Sequence, residues 1–449
     1  MKKVASMIFT ILLFFGGFSA SNLNAEEGVN SLEDSVRLEN ALEKRVEFGL
    51  NNDESAKIFN DNKYISKKYG IYLSSSEEEA LTKRFEQQDK LIPQIKEYFY
   101  SVPELKEKYL GLYIDQANGG EVRIIIKSQE DSLQKGTVSN VTYLAEQFED
   151  KFNIELPISF EEGGYSEKQI EDVSMLVSEN IELISQDIDI RYVTGDFIGQ
   201  KVKLGITKSN IDKEYALSKI SSITQQDQSL FEIEELDDDY STVDSSRTTT
   251  TSPLQGGLAI DSSPSTSGVC SMGYSAIDAN SNPYVITAAH CWYKNSGVGI
   301  YQGGNYIGYT SSLSHYGNEV DANGIRVTSN SLLSNKVYKD SNLTSVEVAG
   351  NDVLGQVVCM SGRNRGESSS CGTLQSKAHY NYWKDPNGVD VWFDSLRLAT
   401  FAQSGGDSGG TVFSRGKLMG LHKGYSNDYS AYSHVTHITN RLGLTPVTW

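Results

Sequence analysis

The spacing of hydrophobic residues changes once along the chain, near residue 250. The first half contains long segments in which hydrophobic positions recur every three or four residues, as on one face of a helix. A helical stretch is predicted over 76–110, with breaks at Pro93 and Pro103. Two further helices are predicted over 139–152 and 166–184.

Two pairs of short alternating segments in the same half predict β-hairpins. The first pair, 112–115 and 121–126, flanks an Asn-Gly-Gly turn that is typical of hairpins. The second pair, 189–194 and 201–206, lies about 80 residues later. Because the two hairpin regions resemble each other, residues 26–235 are predicted to form two α+β sub-lobes.

The second half, 254–449, is built differently, from short β-prone segments separated by glycine, asparagine and serine. Many short strands with regular turns are typical of an all-β barrel or sandwich. The intervening residues 236–253 are polar and without periodicity, which predicts an exposed linker where maturation cleavage occurs. The predicted strands are 269–277, 284–287, 297–301, 325–327, 356–360, 389–398, 411–413 and 417–421.

Charge is divided as unevenly as the hydrophobic pattern. The formal charge of the chain is −19, yet residues 254–449 hold 13 basic and 13 acidic side chains, so the first half carries all of the excess. The second half holds all four cysteines, all six histidines and 25 of the 39 glycines. Neither half has the basic excess that binding to nucleic-acid phosphates requires, which excludes a nucleic-acid partner.

The N-terminus predicts export. Lys2 and Lys3 precede an apolar run over 4–18, and small or polar residues follow up to Ala25. This is the layout of a signal peptide, predicted to span 1–25. No second run approaches 18 apolar residues, so a secreted protein without stable membrane association is expected. An extracellular location permits disulfide bonds in the second half.

Three segments of the second half carry candidate catalytic residues. His290 lies in Thr-Ala-Ala-His-Cys at the end of a predicted strand, Asp321 lies just ahead of another, and Ser408 lies in Gly-Gly-Asp-Ser-Gly-Gly. A serine hydroxyl becomes a good nucleophile when a histidine takes its proton and a carboxylate orients that histidine. Glycines around the serine leave the backbone N–H groups of Gly406 and Ser408 free to stabilise an oxyanion. The order His–Asp–Ser therefore predicts a serine hydrolase.

Two other classes of protein fit these residues less well. A lipase or esterase would place its serine in a Gly-x-Ser-x-Gly turn, with the acid and the histidine following it, whereas here both precede Ser408. A non-catalytic binding or adhesion protein on the same fold would normally have lost one of the three residues, and this chain keeps all of them.

Residues 254–449 resemble the secreted bacterial serine endopeptidases of the chymotrypsin fold, the streptogrisin and α-lytic protease group. The most specific motifs are Thr-Ala-Ala-His-Cys at 287–291 and Gly-Asp-Ser-Gly-Gly at 406–410. The resemblance implies two six-stranded antiparallel barrels with the catalytic residues between them. It also implies that His290 is the general base, Asp321 its orienting acid and Ser408 the nucleophile.

The resemblance extends to the cysteines, with one departure beside them. It implies the disulfides Cys270–Cys291 and Cys359–Cys371. Many members of the group place an arginine after the first cysteine of the second loop, where it can pair with the aspartate before the nucleophile. Met360 occupies that position here, which leaves Asp407 without the expected partner. Two arginines, Arg363 and Arg365, and a freed amino terminus are the candidate replacements.

Specificity is expected to depend on the strand after the nucleophile. The resemblance places a histidine at the position of His422 in glutamyl endopeptidases, and an imidazole there would complement a substrate carboxylate. The matching pocket wall contains no acidic residue that would select lysine or arginine. Cleavage after glutamate, then aspartate, is therefore expected, with an apolar or small-residue preference as the alternative. The predicted substrate-binding residues are Gln403, Ser404, His422, Gly424 and Tyr425.

The long first half is predicted to be a pro-region. It contains no cysteine or histidine and no cluster of residues that suggests chemistry. Large α+β leaders resemble the pro-regions that guide folding in this protease group, and a double barrel dominated by non-local pairings folds slowly. The expected partners are protein or peptide substrates and the chain's own pro-region, acting as chaperone and inhibitor. A monomer without metal or cofactor is expected.

Overall fold

The computed structural model describes most of the chain after residue 41. The signal peptide predicted over 1–25 and the helix predicted over 139–152 lie outside the described residues. None of the helices in the described part is long and apolar enough to cross a membrane. The described residues are 42, 44–52, 66, 68–127, 156–186, 188, 190–207, 212–236, 247–264, 268–365, 369–426 and 429–449.

The longest helix among the described residues of the first half is α1 (Ser75–Ser101). Ser74 caps its N-terminus and forms a reciprocal capping box with Glu77. The helix continues through Pro93, so the predicted break there is wrong: Pro93 lies on the exposed side, while its neighbours Ile92 and Ile95 stay packed. The predicted break at Pro103 is correct, since a separate short helix, α2 (Pro103–Lys106), starts there.

Two three-stranded units of the first half repeat one topology. Strands β1 (Tyr109–Asp115) and β2 (Glu121–Lys127) form an antiparallel hairpin, and β3 (Ile158–Gly163) pairs in parallel with β2. Strands β4 (Ile190–Asp196) and β5 (Lys201–Thr207) form a second hairpin, to which β6 (Phe231–Leu236) adds in parallel. The helices of the second unit are α3 (Glu167–Glu179), α4 (Ile181–Ile184) and α5 (Lys213–Thr224).

The second half consists of short β-strands in the described segments. They are β7 (Ala259–Ile260), β8 (Cys270–Ser271), β9 (Ser275–Ile277), β10 (Pro283–Thr287), β11 (Gly299–Gln302), β12 (Asn305–Gly317), β13 (Val320–Val327), β14 (Ser345–Val346), β15 (Val357–Ser361), β16 (Ser370–Lys384), β17 (Asp390–Ala399), β18 (Thr411–Ser414), β19 (Lys417–Ser426), β20 (Tyr429–His434) and β21 (Thr445–Pro446). Helix α6 (Val435–Leu442) follows β20.

These strands form two main antiparallel arrangements. The first is a sheet of six strands in the order β11-β12-β13-β10-β9-β21. The second has the order β15-β18-β19-β20-β17-β16, and an additional pairing of β15 with β16 closes it into a ring. Strand β14 adds in parallel at β19. Apolar side chains fill each arrangement, including Val285, Ile300 and Ile325 in the first and Val412 and Met360 in the second.

The ring continues directly into the first half of the chain. Strand β4 pairs antiparallel with β16, matching Thr194 with His379 and Val193 with Tyr380. The hydroxyl of Thr194 contacts Nδ1 of His379 at 2.5 Å. A continuous sheet therefore runs from the second half of the chain into β4, β5 and β6.

The segment just before residue 254 differs from its prediction. Residues 236–253 were expected to be an exposed linker, yet Arg247 is 5% exposed and donates to the hydroxyl of Ser361. The side-chain amide of Gln302 donates to the carbonyl of Thr249 at 2.8 Å and accepts from the N–H of Thr251 at 3.0 Å. These hydrogen bonds hold the described end of the segment against the six-stranded sheet.

Candidate functional site

His290 is placed by a short helix at the end of a buried strand. Strand β10 ends at Thr287, whose hydroxyl donates to the carbonyl of Ser271 at 2.8 Å. The 3₁₀ helix Ala289–Trp292 follows and carries both His290 and Cys291. Cys291 is bonded to Cys270, the pairing that the resemblance implied, so these two sulfurs offer no thiolate to a metal. The His290 side chain remains 26% exposed.

Asp321 lies against His290 and is fully buried. It was expected just ahead of a strand, but it is the second residue of β13. Its Oδ2 atom is 2.6 Å from Nδ1 of His290, and its Oδ1 accepts from the His290 backbone N–H at 3.1 Å. The Asp321 N–H in turn donates to the hydroxyl of Ser433 at 3.0 Å. This geometry fixes the imidazole so that Nδ1 donates and Nε2 is free to accept a proton.

A lysine also contacts the buried carboxylate. Nζ of Lys423, itself 1% exposed, lies 3.0 Å from Oδ2 of Asp321. Burial alone would raise the pKa of Asp321, but His290 and Lys423 together hold it below its usual range. Burial lowers the pKa of Lys423, and Asp321 opposes this change. Asp321 is therefore ionised, and it is shared between two partners.

Ser408 lies in the glycine-rich loop between β17 and β18. Its Oγ donates to the carbonyl of Lys423 at a long 3.5 Å. Gly406 has φ of +100° and Gly409 has φ of +81°, where a Cβ would meet the Thr287 hydroxyl at 2.3 Å. No described residue accepts a hydrogen bond from the backbone N–H of Gly406 or Ser408. These two donors are available to a developing oxyanion.

Asp407, the residue before Ser408, is a second buried carboxylate. Its Oδ2 lies 2.9 Å from Nε of Arg365. Of the replacement partners considered for Asp407 from the sequence, Arg365 therefore forms an ion pair with this carboxylate. The backbone N–H groups of Asn364 and Ser404 donate to its two oxygens, each at 2.9 Å. The second disulfide, Cys359–Cys371, has the implied pairing. It joins β15 to β16, the two strands that flank the segment carrying Arg365.

Ser271 connects the two sides of the loop, and the sequence analysis did not identify it. Its N–H donates to the Ser408 carbonyl and its hydroxyl donates to the Gly406 carbonyl, both at 2.8 Å. The same hydroxyl accepts from the N–H of Arg363 at 2.8 Å. Ser271 therefore holds both residues of the donor pair at their carbonyls. Its position directly after a bonded cysteine was the available sequence signal.

The predicted substrate-binding residues lie around this loop with different exposures. Ser404 accepts at its hydroxyl from Arg365, Gln403 is half-buried, and Tyr425 is 49% exposed. A Cβ on Gly424 would meet the ring of Trp383 at 2.8 Å. Gln403 and Ser404 lie on the glycine-rich loop before Ser408, and Gly424 and Tyr425 lie on β19.

His422, on β19, is fully buried. Its ring packs against Phe401, with centroids 5.7 Å apart, and neither nitrogen makes a well-formed hydrogen bond to a described residue. Burial, assisted by the charge of Arg365, lowers the pKa of His422 to about 3. The imidazole is therefore neutral in this structure, and it could complement a carboxylate only by donating a hydrogen bond.

Three known proteins that resemble this chain each cover less than half of it. Streptogrisin-D of Streptomyces griseus is 29% identical over 164 residues, which cover 36% of this chain and 39% of streptogrisin-D. The Nocardiopsis protease NAPase is 28% identical, with a TM-score of 0.35, and covers 43% of this chain and 97% of its own. A Cellulomonas bogoriensis chymotrypsin is 24% identical, with the same TM-score, and covers 43% and 98%. No protein-family model matches the chain.

We predict that Arg365→Met will destabilise the nucleophile loop. Removing the guanidinium leaves the carboxylate of Asp407 buried without a cation, which costs about 3–5 kcal/mol for pairs of this kind. The free energy of unfolding in urea measures the loss. Arg326→Met is the matched control. The half-buried guanidinium of Arg326 donates hydrogen bonds to two neutral groups, the carbonyl of Pro283 and the side-chain oxygen of Asn282. Equal losses in the two variants would show that Arg365 does not neutralise Asp407.

Proposed function

We propose that the chain is a secreted serine endopeptidase that uses Ser408, His290 and Asp321. The observation that carries the proposal is the 2.6 Å contact between Nδ1 of His290 and a fully buried carboxylate. It leaves one imidazole nitrogen free to accept a proton beside the glycine-rich loop of Ser408. The two unoccupied backbone donors of that loop support acyl transfer.

The reaction follows from these roles. His290 Nε2 accepts the proton of Ser408 Oγ as this oxygen attacks the peptide carbonyl, and the N–H groups of Gly406 and Ser408 stabilise the resulting oxyanion. The imidazolium, held by Asp321, then donates its proton to the departing amine. Water attacks the acyl-enzyme with His290 again as the base, which releases the acid and restores Ser408.

The two antiparallel arrangements of strands fit the chymotrypsin-like fold that we propose for residues 254–449. Asp321 lies on β13 of the six-stranded sheet and His290 lies on the 3₁₀ helix that follows β10 of the same sheet, whereas Ser408 lies between two strands of the closed ring. A Cβ on Gly409 would lie 2.3 Å from the Thr287 hydroxyl and 2.7 Å from the Ala288 nitrogen, so the loop of Ser408 packs against the segment before His290. This contact supports a catalytic site where the two arrangements meet, and we propose that an extended peptide binds there, as an endopeptidase requires.

We predict that catalysis requires all three residues. Ser408→Ala or His290→Ala should lower kcat by many orders of magnitude, and Asp321→Asn by about 10⁴-fold, because the base then lacks its orienting carboxylate. The measurement is the cleavage rate of peptide substrates, with organophosphonate labelling of Ser408. Full peptidase activity in Ser408→Ala would contradict the assignment. Absence of labelling in the wild type would favour a non-catalytic binding protein.

We further propose that the enzyme cleaves after glutamate and, more slowly, after aspartate. The wall at Gln403 and Ser404 contains no carboxylate, and the guanidinium of Arg365 reaches the Ser404 hydroxyl. The neutral ring of His422 has hydrogen-bonding capacity that no described residue uses well. A neutral imidazole can still donate to a carboxylate, and such charge-assisted bonds contribute about 1.5–3 kcal/mol. The alternative is a preference for apolar or small residues.

We predict that His422→Ala will lower turnover at glutamate by about 10- to 150-fold and barely change slow cleavage at apolar residues, since 1.4 kcal/mol corresponds to tenfold. The measurement uses a peptide library in which the residue before the scissile bond is varied, and it compares the cleavage rates after each residue type. His315→Ala, at a half-buried histidine on β12, is the control. Strong cleavage after leucine, phenylalanine or arginine, with glutamate ignored, would contradict the acidic preference and leave the peptidase assignment intact.

We also propose that residues 26–235 are a pro-region that assists folding and inhibits the enzyme before maturation. The support is the extent of its contact with the catalytic half. Besides the pairing of β4 with β16, Lys377 pairs with Glu167 at 2.8 Å, and Ile114 donates from its N–H to the Leu354 carbonyl at 3.0 Å. The leader thus contacts strands whose pairing is non-local and slow to form.

We predict that Gly355→Ala will lower the yield of active enzyme refolded from the full chain. A Cβ at Gly355 would lie 1.9 Å from the carbonyl oxygen of Ile114, so the leader could not dock closely. Gly350→Ala is the matched control: φ is also positive there, at +92°, but a Cβ meets nothing within 4 Å. Both changes carry the same backbone strain of about 1–2 kcal/mol. We expect the yield of Gly355→Ala to be at least tenfold below that of the control.

The leader proposal also predicts the behaviour of the separated parts. Residues 254–449 refolded alone should gain little activity, and residues 26–253 added in trans should restore it. Fast refolding of 254–449 to full activity without the leader would contradict a folding role. Equal yields of the two glycine variants would contradict the docking contact.

A further inference from the structure

The buried ammonium of Lys423 is the feature of the site that the reaction above does not use. Lys423 is the seventh residue of β19, and its side chain extends to Asp321 on β13. Its Nζ contacts Oδ2, the same oxygen that accepts from Nδ1 of His290. One carboxylate oxygen therefore holds the imidazole and an ammonium together.

Three aromatic rings surround the ammonium. Nζ lies 3.8 Å from the ring centroid of Phe393, 4.4 Å from that of Trp383 and 4.5 Å from that of Tyr316. Aromatic faces stabilise a desolvated cation, because their π-electrons are negative at the ring centre. These rings come from β17, β16 and β12, so strands of both antiparallel arrangements contribute to the enclosure. The surroundings favour a charged lysine over a neutral amine.

We propose that Lys423 is a positioning residue that holds the Asp321 carboxylate and offsets its charge, so that His290 acts as a base down to lower pH than a His–Asp pair alone would allow. This inference rests on the proposed serine endopeptidase function. A carboxylate stabilises the imidazolium and an adjacent ammonium weakens that stabilisation. The neutral imidazole, which is the form that accepts the serine proton, thus persists to lower pH.

The other titratable groups near His290 do not supply a compensating charge. Tyr316 on β12 is a phenol whose pKa is raised by burial, and His422 on β19 is neutral. Tyr293, three residues after His290, is also a phenol, and its ring packs edge-on against that of Tyr316. Asp385, between β16 and β17, accepts from the backbone N–H groups of Asn387 and Val389. Asp321 is in direct contact with the imidazole, and Lys423 contacts the same carboxylate oxygen.

The test compares pH profiles of variants made in the full chain. Lys423→Met keeps the length of the side chain and removes the charge, so the acidic limb of kcat/KM should move about one unit to higher pH. At pH values below the limb, Lys423→Met should therefore lower kcat/KM relative to the wild type about tenfold more than it does at the plateau. Lys423→Arg keeps the charge and should keep the limb near its wild-type position. A uniform loss at all pH values, with the limb unmoved, would overturn the proposal.

Lys417→Met is the matched control on the same strand. Lys417 is 40% exposed and pairs with Glu347 at 3.1 Å, away from Asp321. Its removal should leave the acidic limb unchanged. A shift as large as that of Lys423→Met would mean that any lysine of β19 acts through general charge, and the specific role of Lys423 would be wrong.

Two spectroscopic measurements do not depend on turnover. In the full chain carrying Ser408→Ala, the NMR resonance of the His290 Nδ1–H should titrate about one unit higher when Lys423→Met is added; an unmoved midpoint overturns the proposal. In the chain without a change at 423, ¹⁵N NMR should detect a slowly exchanging, charged Lys423 ammonium at pH 7, and a neutral amine there would overturn the proposal even if the variants fail to fold. A wild type that neither cleaves peptides nor reacts with phosphonate would refute the proposed function alone.

Discussion

The buried carboxylate of Asp321 is the constraint on which the rest of the site depends. A fully buried charge is costly unless charged or hydrogen-bonding partners surround it. The carboxylate contacts His290 on the 3₁₀ helix and Lys423 on β19, and the backbone N–H of Asp321 donates to the hydroxyl of Ser433 on β20. Both antiparallel arrangements of strands must therefore reach their final registers before Asp321 is satisfied. Correct assembly of the fold and assembly of the site become one event.

A second buried carboxylate organises the nucleophile loop in a similar way. Asp407 accepts from two backbone N–H groups and pairs with Arg365, while Ser271 holds the carbonyls of Gly406 and Ser408 from the other side. Neither glycine-rich sequence nor positive φ alone would fix this loop. Together these contacts hold the loop that carries the N–H groups of Gly406 and Ser408, which we propose as the oxyanion donors.

The sequence was most informative where local chemistry determines structure. The Asn-Gly-Gly turn located the first hairpin, and the motifs around His290 and Ser408 located segments that the fold places at one site. Strand β12 was missed because it has no regular alternation of buried and exposed residues, and the break at Pro93 was wrong because packing on both sides retains the helix. The Lys423–Asp321 pair could not be foreseen, since it joins residues 102 positions apart through the packing of two sheets.

The most direct test of the account is a crystal structure of the full chain after reaction with a peptidyl phosphonate. The account predicts a covalent bond to Ser408 Oγ and one phosphonate oxygen within hydrogen-bonding distance of the N–H groups of Gly406 and Ser408. It also predicts that His290 and Lys423 both remain on the carboxylate of Asp321. An adduct on another residue, or a phosphonate oxygen directed away from the glycine-rich loop, would contradict the catalytic assignment. An Asp321 carboxylate turned away from His290 in the adduct would contradict the central constraint.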